Sequence, residues 1–317
     1  MERADSPVVQ PFRFGLQCKG PADAAGWSAL ARRVEDLGWS TLTVADHLDD
    51  PLAPIPALMA AAAATTELRL GTMVLANDYR HPALLAKEAA TLDVLTSGRF
   101  ELGIGAGWMT RDYEAAGIPL DRPGIRIDRL AEALAVLRGC WASGPFDLQG
   151  DHYRIAGLDG QPEPLTPGGP PIVIGGGGER VLRLAAREAD VVALNVNLKA
   201  GVIDERAFPD GTPEATDRKL TWIRDAAGAR FDQLVLQSRI HLAMVTDDRA
   251  TVLDELAPAF GLTPTQAAGT PHALIGTVDE ICEQLVERRE RWGISYLGLS
   301  ADQLEPFAPV VARLAGT

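Results

Sequence analysis

Residues 81–108, HPALLAKEAATLDVLTSGRFELGIGAGW, contain one complete structural unit. From residue 82 to 95 the apolar side chains recur at helical spacing, and Ser97-Gly98 supplies a stop. Residues 100–104 then form an almost unbroken apolar run, without the alternation of a strand that has one wet face. Such a run suits a parallel strand buried on both faces. A helix feeding a doubly buried strand is the repeating element of α/β folds.

Working outward, the same unit recurs. Further strand runs lie at 12–17, 41–45, 68–75, 171–175, 190–195, 235–245 and 294–299. Helical patterns lie between them at 23–37, 56–66, 125–141, 179–188, 277–291 and 302–314. Gly38 reads as a helix C-cap, and Thr277 with Glu280 reads as a capping box. The 317 residues suit either two ordinary domains or one large barrel. Eight strands alternating with helices, with no Pro/Gly/Ser-rich linker and no repeat, favour a single (β/α)8 TIM barrel over a doubly wound sheet. Two irregular stretches stand out. Residues 139–170 form an inserted segment after strand 4, and within it FDLQGDHYRI has the pattern of a small hairpin. Residues 199–211 form a charged, proline-punctuated loop, of a length often used for lids or substrate walls.

Composition narrows the function. The chain carries 30 Lys+Arg against 43 Asp+Glu, a net charge of -13, which argues against a nucleic-acid or anionic-membrane partner. An anionic ligand must then be held by local dipoles and a few basic side chains. Cys18, Cys140 and Cys282 are far apart and lack metal-ligand spacing, so they read as small apolar residues. The start MERADSPVVQ lacks an apolar segment behind a basic one, so no signal peptide is expected there. The alanine-rich run at 56–64 is too short to span a bilayer. The expectation is a soluble, cytoplasmic protein acting on a small molecule.

Barrel chemistry sits at the C-terminal ends of the strands. Asp46 and His47 close the second strand, where a carboxylate can accept a hydrogen bond and a histidine can relay a proton. Equally, Asp46 could cap a helix and His47 sit on the rim. Asn77 and Asp78 end the third strand, in which Gly71 hints at a bulge. Gly103, Gly105 and Gly107 strip alternate side chains from the fourth, which would let a flat ligand approach, and Trp108 follows as a wall or a rim aromatic. Gly175, Gly176, Gly177 and Gly178 join the fifth strand to a helix, the arrangement of a phosphate cradle. It is neither a Walker loop nor a dinucleotide-binding turn. Arg80, His81, Arg111, Arg239 and His241 also lie near strand ends. Arg239 and His241 would share one face, either at the mouth or paired with a neighbouring strand.

Taken together, FRFGL, TLTVADHL, LRLGTMVL, residues 81–108, IRIDRLAEALAVLRGCW, PPIVIGGGG and GTVDEICEQL…GISYLGLS resemble the luciferase-like monooxygenase family, specifically its coenzyme F420-dependent oxidoreductase branch. The resemblance implies a flavin-like cofactor at the C-terminal face, F420 or alternatively FMN, with its phosphate at Gly175, Gly176, Gly177 and Gly178. It places the ring on a bulge at Met73 and Val74, usually a non-proline cis peptide in this branch, with Asp46, Asn77 and backbone at Ala106 and Gly107 around it. His47 becomes the candidate for proton transfer, and Trp108 and Met109 become pocket walls. The family's dehydrogenases pair that histidine with a tryptophan and a glutamate; here those positions hold Pro51 and Trp108. The expectation is therefore a reductase of an activated C=C or C=N bond, with an FMN-dependent monooxygenase or a non-catalytic flavin-binding barrel as alternatives. Family members commonly pair through helices, which implies a homodimer.

Overall fold

Eight parallel strands close on themselves. Arg13–Gln17 pairs with Thr41–Val44, followed in turn by Arg69–Thr72, Phe100–Gly105, Ile172–Gly176, Val191–Leu194, Val235–Arg239 and Ile294–Ser300, which pairs back with the first. The computed structural model describes residues 10–202 and 205–317, so the expectation for the start of the chain, and part of the 199–211 loop, fall outside the described residues. The fold is the (β/α)8 barrel that the strand count implies.

Burial on both faces explains why the strands read as continuous apolar runs. Alternate residues point outward: Leu16, Leu42, Leu70, Leu102, Ile174, Val192, Leu236 and Leu299 join the helices in the main core. Their neighbours point inward, where Val173, Val191, Ala193 and Tyr296 form a small inner cluster. Truncating one outward leucine, such as Leu102→Ala, removes about 2–5 kcal/mol. Gly15 leaves room for the Tyr296 ring, since a Cβ there would stand 3.0 Å from it. Among the described residues no helix is long and apolar enough to cross a membrane.

The helices begin and end on the signals their sequence carries. Pro82–Leu95 starts on a proline and ends near Ser97 and Gly98, both at positive φ. Val278–Trp292 has both halves of its capping box and stops at Gly293 in the left-handed region. Within the segment between the fourth and fifth strands, Phe146–Gln149 and Arg154–Leu158 pair as an antiparallel hairpin. Glu132, on the helix Pro123–Trp141, fastens its turn by accepting from the backbone N–H groups of Asp151, His152 and Tyr153 at 2.9–3.0 Å.

Four sequence expectations change. The run 235–245 is two strands: Val235–Arg239 belongs to the barrel, whereas Leu242–Val245 pairs in parallel with Ala273–Gly276 outside it. Between these two lies an excursion carrying the helices Arg249–Leu256 and Pro264–Gly269. The run 68–75 is broken after Thr72, and Leu75–Ala76 pairs separately with the end of the fourth strand. Pro213–Ala227 is a full helix, started by Thr212 and Pro213, that the charged sequence concealed. The last helix is only Ala308–Leu314, preceded by a short turn, because Pro306 and Pro309 interrupt the pattern.

Candidate active site

The bulge sits at the C-terminal mouth. Between the two pieces of the third strand, the Met73-Val74 peptide is cis. Its neighbours hold three polar atoms of the turn. Met73 N–H donates to the Val44 carbonyl at 2.9 Å, Gln17 Nε2 donates to the Met73 carbonyl at 2.9 Å, and Ala76 N–H donates to the Asp46 carboxylate at 3.0 Å. Val74 lies across the glycines of the neighbouring strands. A Cβ on Gly105 would stand 2.9 Å from Val74, and one on Gly103 would stand 1.8 Å from the Thr72 carbonyl. The alternating glycines therefore make room for the bulge, not directly for a flat ligand. Gly107 is different: its φ of +73° and the Tyr113 hydroxyl, 1.8 Å from where a Cβ would be, both require glycine.

Asp46 and His47 have separate partners. Asp46 is buried and takes a two-pronged contact from Arg80, at 2.5 and 2.9 Å, besides the Ala76 amide. It ties the second strand to the bulge, and Arg80 is committed to it. His47 Nδ1 lies 2.8 Å from Asp112 Oδ2, and its ring meets Trp108 edge-on at 5.7 Å. A buried carboxylate accepts only, so Nδ1 carries the proton of the neutral ring and Nε2 is left to exchange one. Asp112 comes from the helix Thr110–Ala116, two residues after its start. Arg111 is paired with Asp49 on the surface. His81 accepts from Ala83 N–H at its helix start.

Buried polar groups line the rest of this side. Asn77 donates to the Tyr153 hydroxyl of the hairpin segment at 3.2 Å, while its Oδ1 is buried with no partner. Tyr113 donates to Asp78 at 3.0 Å, and Arg129 holds the other oxygen of that carboxylate at 2.8 Å. Burial, then the carboxylates of Asp112, Asp46 and Asp78, push the Tyr79 phenol upward. The carbonyls of Ala106 and Gly107 accept from the buried Arg126. Met109 is the residue before the helix that carries Asp112 and stays half-buried.

The glycine run leads from the fifth strand into the helix Glu179–Glu188. Gly177 is packed on the end of the sixth strand, for a Cβ there would stand 2.4 Å from the Val196 backbone. Gly178 is open, its nearest neighbour being Asn197 Nδ2 at 3.5 Å, and no side chain caps the helix. The first N–H groups of that helix are thus left for an anion.

Arg239 ends the seventh strand, and His241 lies beyond it, with its ring edge-on to Phe208 and His272. Arg239 donates to the Gly298 carbonyl at 3.2 Å and to Ser300 Oγ at 2.7 Å; among the described residues it has no ion-pair partner. Burial pushes its guanidinium down to about 10, opposed by Asp302. His241 Nε2 lies 2.8 Å from Asn195 Oδ1. Burial, then Arg239, hold that imidazole down at about 4. Among the described residues no cluster of side chains could hold a metal ion. Cys18 and Cys140 are buried, and burial pushes the Cys18 thiol up to about 12.

Asp112, Arg126 and Tyr153 were not singled out from the sequence. They reach the mouth from helical or inserted segments, and nothing local marks which distant strand end a side chain meets.

The family model described as luciferase-like monooxygenase matches residues 8–205. An F420-dependent glucose-6-phosphate dehydrogenase of Nakamurella multipartita is 30% identical over 303 residues, which cover 90% of this chain and 84% of that protein. An FMNH2-dependent dimethylsulfone monooxygenase of Pseudomonas fluorescens is 37% identical over 150 residues, 46% of this chain and 40% of that protein. The structure of an F420-dependent tetrahydromethanopterin reductase from Methanopyrus kandleri superposes with a TM-score of 0.75 at 17% identity, covering 96% of this chain and 99% of that one. A long-chain alkane monooxygenase gives 0.77 at 17%, covering 97% and 92%; these two likenesses bear on the fold. The non-catalytic alternative does not survive these matches. With the family model matching residues 8–205 and the first relative matched over nine-tenths of this chain, the chain is an enzyme and belongs to the luciferase-like monooxygenase family.

Proposed function

We propose that the chain is a coenzyme F420-dependent oxidoreductase that moves a hydride between the deazaflavin and a small organic substrate, working as a reductase of an activated C=C or C=N bond. The observation that carries this reading is the tethered bulge at Met73 and Val74 with the His47–Asp112 pair at the same mouth. The likeness to an F420-dependent dehydrogenase over most of the chain supports the choice of cofactor.

The residues fit an anionic, flat-ringed cofactor. Gly178 and the uncapped helix after it would hold a phosphate, and the buried Oδ1 of Asn77 would accept from a ring N–H. Met73 and Val74 would form the shelf under the ring, with Ala106 and Gly107 at its edge. When bound in its reduced form, the deazaflavin would supply the hydride, since its ring carries carbon where a flavin has its reactive nitrogen. The protein contributes position and a proton. Asp46 acts through Ala76 and Arg80, keeping the shelf in place. Asp112 accepts from Nδ1–H and fixes the His47 ring, so that the doubly protonated ring can give its Nε2 proton to the substrate and be left as the neutral Nδ1–H form. Trp108 and Met109 wall off that side from water. Neither residue offers the carboxyl group that the dehydrogenases of the branch carry at position 108, which favours a reductase over a sugar-phosphate dehydrogenase.

The match to an FMNH2-dependent enzyme over 150 residues favours the second reading, an FMN-dependent monooxygenase. Titration of the purified protein with F420 and with FMN, followed by fluorescence, separates the two. Tighter binding of F420 is expected; tighter binding of FMN overturns the proposal.

A further inference from the structure

The inserted segment between the fourth and fifth strands has no part in that scheme, yet it touches the mouth. Its hairpin turn is built around one carboxylate. Glu132 accepts from the backbone N–H groups of Asp151, His152 and Tyr153 at 2.9–3.0 Å, and a Cβ on Gly150 would stand 2.2 Å from its Oε2. Gly150 N–H closes the turn on the Tyr153 carbonyl at 3.0 Å. Burial works against the Glu132 charge, but these amides outweigh it and hold the carboxyl below its usual range. The turn is thereby clamped to the helix Pro123–Trp141, whose Leu130, Leu134 and Leu137 lie in the main core.

A clamped turn fixes Tyr153. Its ring meets His81, the residue that caps the helix Pro82–Leu95, edge-on at 5.4 Å. Its hydroxyl accepts from Asn77 Nδ2 at 3.2 Å. Asn77 directly follows Leu75–Ala76, the short strand after the Met73-Val74 bulge. Its side chain is buried, and with Nδ2 on Tyr153 its Oδ1 is left without a donor. An unmatched buried acceptor costs about 1–3 kcal/mol, which a ligand N–H would relieve. Among the described residues Tyr153 is the one hydrogen-bond partner of the Asn77 amide group.

We propose that Tyr153 is a positioning residue of the cofactor site: from the inserted hairpin it holds the Asn77 amide so that Oδ1 is the atom offered to the cofactor ring. The inference rests on the reading above, in which Asn77 accepts from a ring N–H. Control runs from Glu132 through the turn to Tyr153, and from there to Asn77. Without the tyrosine hydroxyl the amide loses its fixed partner and can turn over. It would then offer Nδ2, a donor, to a ring N–H that is also a donor, and no bond would form. The insertion is thus more than a substrate wall, because it sets part of the affinity for the cofactor.

Fluorescence titration of the full chain with F420, over a double-mutant cycle of Asn77 and Tyr153, tests this. Tyr153→Phe keeps the ring on His81 and removes the hydroxyl, and affinity should fall about fivefold. Asn77→Ala removes the acceptor itself and should weaken binding about tenfold. In the Asn77→Ala background, Tyr153→Phe should change affinity by less than about twofold, since the hydroxyl has nothing left to hold. A hydroxyl that merely supported the fold would weaken binding by the same factor in both backgrounds. Glu132→Ala, which frees the turn, should lose as much affinity as Tyr153→Phe. Unchanged affinity in Tyr153→Phe or in Glu132→Ala, or an equal loss with and without Asn77, overturns the proposal. Failure of the underlying reading looks different: the unaltered protein would bind FMN more tightly than F420. The cycle is then run with FMN, whose ring also carries an N–H, and the same outcomes decide it. Binding of neither cofactor removes that reading and this inference together.

Discussion

The two ends of the barrel handle charge in opposite ways. At the N-terminal end, Glu101 is buried between Arg13 and Arg69, and Arg13 lies 4.3 Å above the Tyr296 ring. These inward charges have partners on neighbouring strands, and the result is a closed plug. At the C-terminal mouth, charges are paired across loops or left with capacity to spare: His47 keeps Nε2, Asn77 keeps Oδ1 and Arg239 keeps most of its donors. A buried polar group that is fully satisfied holds a fold, whereas one with unused valence is available to a ligand. The same alternating inward positions thus serve stability at one end and chemistry at the other.

That contrast can be broken from the mouth first. His47→Ala should slow turnover by about 10²–10⁴-fold while leaving cofactor affinity and the unfolding midpoint in place, as read by steady-state kinetics, cofactor titration and thermal melts. Asp112→Asn should slow it less and shift the pH profile of turnover, since it acts only through the histidine. Turnover unchanged in His47→Ala removes that residue from the reaction.

At the closed end the effect should fall on stability instead. Glu101→Ala leaves two guanidiniums facing each other, and about 3 kcal/mol should be lost in urea denaturation. Cofactor affinity, measured under folding conditions, should not move. A loss of affinity equal to that of a mouth variant would erase the distinction between the ends.

Acid should also act through the mouth. The folded state holds His241 at about 4, whereas the unfolded chain takes up a proton near 6.5. The unfolded state therefore binds more protons in that window. Stability is full above about pH 6.5 and falls as the pH drops towards 4, by about 3 kcal/mol for this group. Burial of His272 acts in the same direction. Urea titrations at several pH values should show the slope, and His241→Gln should flatten it; an identical slope in that variant would reassign the effect.

The smallest expected change is the cleanest. In Gly178→Asp the added Cβ meets no atom closer than 3.5 Å and the carboxylate can cap the start of the helix Glu179–Glu188, so stability should hold or rise by a few tenths of a kcal/mol. Its charge should nevertheless weaken an anionic cofactor by about tenfold. Undiminished affinity would move the phosphate elsewhere. The neighbouring Gly177 is unsuitable for this test, because any side chain there collides with the backbone of Asn195 and Val196.

Much of this molecule is legible in one dimension because its information is local. Doubly buried strands read as apolar runs, and helix starts such as Thr277 with Glu280 carry their caps in adjacent residues. The expectation of a phosphate cradle is equally local, since it rests on four consecutive glycines before a helix; of these Gly178 is open, while Gly176 and Gly177 are packed against Val181 and Val196. Failures occurred where a residue's role depends on its partner. The apolar run through 245 gives no sign that its second half pairs with Ala273–Gly276 and leaves the barrel. The helix Pro213–Ala227 did carry usable signals in Thr212 and Pro213, which the charged stretch around them outweighed.

By itself, then, the sequence determined the eight-fold alternation, the doubly buried strands and the polar residues placed at strand ends, all of which follow from periodicity and turn chemistry within a few residues. Only the tertiary structure decided that Val74 fills the glycine-lined face, that Asp112 comes to His47 from 65 positions away, and that Arg239 is held by the Gly298 carbonyl and Ser300 Oγ. Those outcomes depend on which strands and helices become neighbours when the barrel closes. Closure brings together atoms whose separation along the chain carries no trace of their contact.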